Sequence, residues 1–159
     1  MMPVDFILEA MKPADLDAVV ALHARCAPRP WFRASFSEEL ALHAWCRCAR
    51  PKADPGQLAG FLVARAQWDT WHVLELAVDP PWRRRRAGTL LLAELEDHVR
   101  SIGGRALTLE VRASNAAGLA LYQSLGYTRV GLRRDYYPPP PQREDAVVMT
   151  RLLTPVEDP

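Results

Sequence analysis

Apolar positions along the chain recur with two periods, 3.6 and 2, and the changes between them predict a mixed order of strands and helices. Residues 4–9 form a short apolar run expected to be a strand, and Leu16, Val19, Val20 and the run 22–26 then place an apolar stripe at helical spacing. Ser35 with Glu38 three residues later has the form of a capping box. A second helix is therefore expected through Leu40, Leu42 and Trp45 towards Cys48, broken by the segment 51–56 with its Pro and Gly. Residues 58–66 and 71–78 read as two strands, antiparallel neighbours joined by a hairpin at 67–70. The clearest element is a long helix from about Gly88, where Leu91, Leu92, Leu95, Val99 and Ile102 recur at helical spacing and Gly103-Gly104 ends it.

The second half changes period. Residues 106–112 alternate Leu107, Leu109 and Val111 against Thr108, Glu110 and Arg112, as expected of a strand with one buried face and one polar face. Asn115 can cap a following helix that runs to about Leu125, where Gly126 stops it. Two further strands, roughly 127–136 and 145–153, complete a mixed α/β order, with prolines 138–141 as a stiff loop between them. There is no internal repeat, so residues 1–153 read as a single domain and 154–159 as a flexible tail.

Composition narrows the function. The 159 residues are 49% hydrophobic and 25% charged, the balance of one ordinary globular domain. Twenty Lys plus Arg against nineteen Asp plus Glu leave a formal charge of +1, which argues against a general nucleic-acid binder and leaves electrostatic recognition to local features. Lys12 and Lys52 are the only lysines among the twenty basic residues. No apolar run approaches the length of about 20 residues that a bilayer requires, and the first residues carry Asp5 and Glu9, unlike a signal peptide. A cytoplasmic protein without membrane contact is expected. The three cysteines lie between Cys26 and Cys48 without redox-pair spacing, so no disulfide framework is expected.

One segment has the form of an anion site. Leu76-Ala77-Val78-Asp79-Pro80-Pro81-Trp82-Arg83-Arg84-Arg85-Arg86-Ala87-Gly88 reads as a strand end, a loop and a helix start. Unpaired N–H groups and the positive end of the helix dipole face whatever lies over such a loop, and four arginines reinforce the sign. A solvated arginine run is the plainer alternative.

These residues resemble the acetyl-coenzyme A loop of the GNAT acetyltransferase superfamily, Gln/Arg-x-x-Gly-x-Gly/Ala after a strand ending in Val-Asp-Pro. Residues 83–88 match it with one departure, Arg86 in place of the first glycine, where a side chain either obstructs or adds a phosphate contact. The likeness continues through Leu109-Glu110-Val111-Arg112-Ala113-Ser114-Asn115, Leu121-Tyr122, Leu125-Gly126-Tyr127, Tyr136-Tyr137-Pro138 and Arg143-Glu144-Asp145-Ala146, with Pro30-Trp31 beside them. Together these blocks are similar to RimI-type ribosomal-protein-alanine N-acetyltransferases over nearly the whole chain. The resemblance implies a GNAT fold, an α/β (α+β) arrangement with a mixed, mostly antiparallel twisted sheet of about six to seven strands flanked by about four helices.

It also implies roles. Acetyl transfer from a thioester to an amine needs a neutral amine, a stabilised oxyanion and a proton for the departing thiolate. By resemblance Glu110 is the general base and Tyr122 the general acid. Acetyl-coenzyme A is the cosubstrate, held by the backbone of Leu76, Ala77 and Val78, by Arg83, Arg84, Arg85, Arg86, Ala87 and Gly88, and by Asn115. The acceptor, the N-terminal peptide of a ribosomal protein or another protein, is expected near Trp31, Tyr136 and Tyr137, with Glu144 and Asp145 attracting a cationic peptide. Each residue also has a structural reading: an exposed strand carboxylate for Glu110, core packing for Tyr122, a plain cap for Asn115, strand-end packing for the two tyrosines and hairpin charges for Glu144 and Asp145.

An α-amine has a pKa of about 7.7–8.0 against about 10.4 for lysine, so on the order of a tenth of it is neutral at pH 7 and a single carboxylate suffices as base. The other readings are an acetyltransferase for a different amine and a degenerate acetyl-coenzyme A-binding module. His23-x-x-Cys26 and His43-x-x-Cys46 would make a zinc site only if two successive helices opposed those faces, and no metal is expected.

Overall fold

A computed structural model describes residues 5–154; the strand position Val4 and the tail positions 155–159 lie outside the described residues. Seven strands and four α-helices follow one another as β1 (Phe6–Ala10), α1 (Leu16–Cys26), α2 (Arg33–Ala41), β2 (Trp45–Pro51), β3 (Gly60–Gln67), β4 (Thr70–Val78), α3 (Ala87–Ser101), β5 (Ala106–Arg112), α4 (Ala116–Ser124), β6 (Thr128–Tyr137) and β7 (Glu144–Leu152). Short 3-10 turns precede α1 and follow β4, each opened by a proline whose fixed φ suits it. The strand order is β1-β2-β3-β4-β5-β7-β6. The β1–β2, β2–β3, β5–β7 and β6–β7 pairs are antiparallel and β4–β5 is parallel, so the sheet is mixed and mostly antiparallel as expected.

Packing divides the chain into two compact units. One comprises the described part of Met1–Arg65 with Glu75–Leu95, the other Ala66–Leu74 with the described part of Glu96–Pro159. In the first unit, Val19 and Leu22 of α1, Phe36 of α2 and Phe61, Leu62 and Val63 of β3 are fully enclosed. Phe36 and Phe61 meet edge to face with centroids 5.4 Å apart, an arrangement that sets ring edges against ring faces. In the second unit, Leu107 and Leu109 of β5, Ala146 and Met149 of β7 and Val99 of α3 are among the enclosed residues. Burying a side chain of this size contributes about 1.5–3 kcal/mol.

Three expectations are corrected. The second helix does not open at Ser35 and does not continue to Cys48: it starts at Arg33 after the N-cap Phe32 and ends at Ala41, and Trp45–Pro51 is a strand. His43 takes a left-handed φ of 57°, which stops a helix, and the residues beyond it form a strand with Cys46, Cys48 and Ala49 buried and Trp45, Arg47 and Arg50 less so. The apolar residues of this segment also fit a 3.6 spacing, which is why the pattern predicts a helix there. Ile102 is not on the buried stripe of α3, because the helix stops at Ser101 and Ile102 is 57% exposed. The first strand lies slightly later than expected, at Phe6–Ala10.

Gly60 leaves no room for a side chain. A Cβ there would lie 2.8 Å from the carbonyl oxygen of Ala77 on β4, and backbone cannot swing away as a side-chain tip can. Gly60→Ala is expected to destabilise the protein by about 1–3 kcal/mol, seen by circular dichroism as a Tm lower by several degrees. Gly56→Ala, whose Cβ would meet only Asp54 Oδ1 at 3.7 Å, is expected to melt close to the parent.

Candidate active site

In the first unit the expected anion loop follows β4 and leads into α3. Asp79, directly after the strand, is buried, and Arg25 of α1 grips both its oxygens, Nε and Nη2 each at 3.0 Å. A bidentate guanidinium–carboxylate pair fixes direction as well as distance. The Asp79 N–H donates to the Ala59 carbonyl at 2.8 Å, tying the strand end to the segment before β3. Arg83 folds back so that Nε donates to the Val78 carbonyl at 3.1 Å, and Nη2 approaches Cys26 Sγ at 3.6 Å. The Arg85 guanidinium lies over the Trp82 ring, 5.3 Å from its centroid.

Arg84, Arg85 and Arg86 are exposed, whereas Ala87 and Gly88 are buried at the start of α3. Arg84 and Arg86 both take left-handed φ values, 62° and 71°. The backbone therefore adopts at Arg86 the conformation for which a glycine is the usual residue, without losing the side chain's charge. Left-handed residues beside a helix start turn successive N–H groups into a concave donor surface, and the first N–H groups of α3 have no acceptor within the helix. This donor set, with three exposed guanidiniums, fits a pyrophosphate.

In the second unit the polar face of β5 carries the expected base. Leu107, Leu109 and Val111 are buried and Thr108, Glu110 and Arg112 face the other way, as the alternation predicts. His72 of β4 pairs with Thr108 across the parallel junction, and its imidazole reaches the next position on that face. His72 Nε2 stands 2.5 Å from Glu110 Oε2, and Arg133 Nε of β6 stands 3.4 Å from Oε1. The hydrogen bond from His72 holds the Glu110 carboxyl below the usual carboxylate range, burial opposing it and Arg133 adding to it. Neither His72 nor Arg133 is singled out by a sequence motif. The period-2 pattern of β4 was the available signal for His72, but only strand register tells which carboxylate it meets.

Tyr122 sits half-buried on α4, its ring 5.6 Å from that of Tyr127. Asn115 caps this helix, its side-chain oxygen accepting the Gly118 N–H at 2.9 Å, so the cap reading of Asn115 holds. Tyr136 and Tyr137 stand at the end of β6 with centroids 5.0 Å apart, and the Arg112 guanidinium lies 4.3 Å from the Tyr137 ring centroid. Glu144 accepts from the Ser114 N–H at 2.6 Å and from Arg112 Nη1 at 3.3 Å, and Asp145 Oδ1 accepts the Asp135 N–H at 2.8 Å. Both carboxylates thus hold the turns around β5, β6 and β7.

Trp31, in the first unit, donates its N–H to His23 Nδ1 at 3.0 Å and packs on Phe36 with centroids 5.0 Å apart. His23 Nε2 in turn meets Glu75 Oε2 at 3.1 Å, so this buried histidine is fully engaged. Cys26 Sγ lies 3.5 Å from the Val78 carbonyl. His43 is in a turn and Cys46 in β2, which removes the two facing helices that a zinc site required. Burial pushes the Cys46 thiol up to about 11 and the Cys48 thiol up to about 12, away from the thiolate form that metals bind. Among the described residues no group of three or more His, Cys, Asp or Glu side chains is placed to hold a metal ion, and no helix is long and apolar enough to cross a membrane.

Comparison with known proteins gives the class. A model of the acetyltransferase (GNAT) family matches residues 16–127. The chain belongs to the GNAT acetyltransferase family and is an acetyl-CoA-dependent N-acetyltransferase. Among its relatives, the [ribosomal protein bS18]-alanine N-acetyltransferase of Escherichia coli is 34% identical over 142 residues, covering 89% of this chain and 94% of that protein. The N-alpha-acetyltransferase RimI of Mycobacterium tuberculosis is 38% identical over 134 residues, 81% of this chain and 78% of that one. The crystal structure of the ribosomal-protein-S18-alanine N-acetyltransferase from Escherichia coli superposes with a TM-score of 0.86 at 31% identity, covering 97% of each chain. Ard1 from Thermoplasma volcanium, at 20% identity and a TM-score of 0.85 over 94% of this chain and 98% of that one, shares the fold.

The bonds to Ser114 N–H and to Arg112 hold the Glu144 carboxyl below the usual carboxylate range. A group whose pKa is depressed on folding stabilises the protein above its unfolded value, about 4.3 for Glu, and that contribution is lost as pH falls through the folded value. Glu144→Gln is therefore expected to lower Tm by a few degrees at pH 7, with the gap to the parent closing as pH is taken below about 4 in a series of thermal melts.

Proposed function

We propose that this enzyme acetylates the α-amine of an N-terminal alanine, with a ribosomal protein as acceptor, Glu110 as general base and Tyr122 as general acid. The observation that carries the reading is the state of Glu110: a carboxylate on a polar strand face, held ionised and below its usual range by His72. Such a base is weak. It is mismatched to a lysine ammonium, whose pKa is about 10.4, and suits an α-amine, of which on the order of a tenth is already neutral at pH 7. The relatives that act on a ribosomal protein's alanine support the same acceptor.

Acetyl-CoA supplies an acetyl group activated as a thioester. The loop of Arg84, Arg85, Arg86, Ala87 and Gly88 binds its pyrophosphate through backbone N–H groups and guanidiniums. Arg83 acts one step back, closing the loop onto Val78. The backbone of Leu76, Ala77 and Val78 serves the pantetheine arm as an added strand would. Asn115 fixes the start of α4 and through it the position of Tyr122. The protein's chemical part is two proton transfers. As the N–C bond forms and the C–S bond breaks, Glu110 takes the proton that the amine nitrogen loses and the Tyr122 hydroxyl gives one to the departing sulfur. Tyr136 and Tyr137 line the acceptor's path in the second unit, and Trp31, anchored by His23, presents an aromatic face in the first.

Steady-state kinetics on a peptide beginning with alanine test the roles. Glu110→Gln and Tyr122→Phe are each expected to lower kcat by about 10²–10⁴-fold, the usual worth of a positioned acid or base, while the KM for acetyl-CoA stays within about twofold. Normal turnover in either variant contradicts its assignment. Calorimetric titration tests the loop, with saturable binding of acetyl-CoA expected and absence of binding at millimolar cofactor contradicting it.

A further inference from the structure

Glu110 does not stand alone on its strand face. Across β7 its paired position is Val148, and beyond that Gly131 of β6, neither of which offers a charge or a polar side chain. The charged or titratable groups that meet its carboxylate are His72 from β4 and Arg133 from β6. They differ in kind. His72 is 17% exposed at the side chain and 2.5 Å from Oε2, while Arg133 is 55% exposed and 3.4 Å from Oε1. An ionised carboxylate only accepts hydrogen bonds, so the short contact requires that His72 Nε2 carry a proton and donate it. One oxygen is thus held by a sheltered donor on a strand, and the other is met at longer range by a side chain more than half exposed.

We propose that His72 is the positioning residue of the reaction: its Nε2–H holds Glu110 Oε2 so that the carboxylate stays ionised, fixed in rotation, and turned with Oε1 towards the incoming amine. The inference rests on Glu110 being the general base. An acceptor oxygen must lie within about 2.6–3.2 Å of the nitrogen it serves, and a carboxylate free to rotate about its last torsion meets that condition only part of the time. The bond from His72 removes that freedom. It also keeps Glu110 unprotonated, because a neutral carboxyl group would have no site for the amine's proton. The proton removed from the amine goes to Oε1 and from there to water, and His72 keeps its own. A glutamine at position 72 retains a donating N–H on a side chain of similar reach, whereas leucine removes it and asparagine carries its amide on a shorter stem.

The test combines a readout that needs no activity with one that does. Titration of the glutamate side-chain carboxyls by carbon-13 NMR is expected to show the Glu110 midpoint rising in His72→Leu and in His72→Asn, and remaining near the parent's in His72→Gln. In the same proteins kcat is expected to fall at least tenfold for Leu and Asn and to stay within about threefold for Gln, with the KM for acetyl-CoA and peptide within about twofold throughout. Either the Leu or the Asn variant suffices if the other does not fold. An unchanged midpoint and unchanged kcat in a folded Leu or Asn variant overturns the inference, as does a Gln variant as slow as the Leu variant. If Glu110→Gln itself turns over normally, the reading of Glu110 as base fails, and the NMR midpoints then still report whether His72 governs its ionisation.

Discussion

The register of β5 is the constraint on which the second unit depends. The strand has β4 parallel on one side and β7 antiparallel on the other, so neither edge is open and its side chains can only divide between two faces. Leu107, Leu109 and Val111 take the buried face. A slip of one residue would exchange them for Thr108, Glu110 and Arg112, losing about 1.5–3 kcal/mol of burial for each apolar side chain and placing two charges in the core. Because the core forbids that slip, Glu110 is fixed on the polar face at the height of His72 and Arg133. The proposed base is thus located by the packing of residues that would take no part in the chemistry.

The first unit applies the same logic to a loop. Arg25 grips Asp79, the Asp79 N–H donates to Ala59, and Arg83 reaches back to Val78, so the chain between β4 and α3 leaves the strand in one direction. Arg84 and Arg86 then sit in left-handed backbone, a conformation that costs an ordinary residue about 1–2 kcal/mol relative to glycine. That cost persists because the surrounding bonds over-determine the loop, and the proposed pyrophosphate site is built on it.

Much of this was legible in the sequence, for reasons that differ by element. The alternation of 106–112 and the stripe Leu91, Leu92, Leu95 and Val99 are periodic signals backed by burial, and both elements stand where they were expected. Asn115 and Gly126 are punctuation with a local mechanism, a cap and a left-handed stop at φ 91°. Trp45–Pro51 departs from the expected helix: two cysteines and a tryptophan among arginines fit a helix stripe, but the helix ends at Ala41, before the left-handed His43, and the segment pairs as a strand. The contacts that define the candidate site were the least legible. His72 lies 38 positions from Glu110 in the chain and Arg133 a further 23, and their meeting follows from strand order and register. Glu144 and Asp145, read as charges for a cationic peptide, are engaged by Ser114, Arg112 and Asp135 in bonds that join turns distant in sequence.

On the proposed reading, a weak, oriented carboxylate selects an α-amine over a lysine. The direct measurement is tandem mass spectrometry of a peptide carrying both an N-terminal alanine and an internal lysine, after incubation with the protein and acetyl-CoA near pH 7. A single acetyl group, on the α-amine, is expected. Acetylation on the lysine side chain in preference to the N-terminus would contradict it.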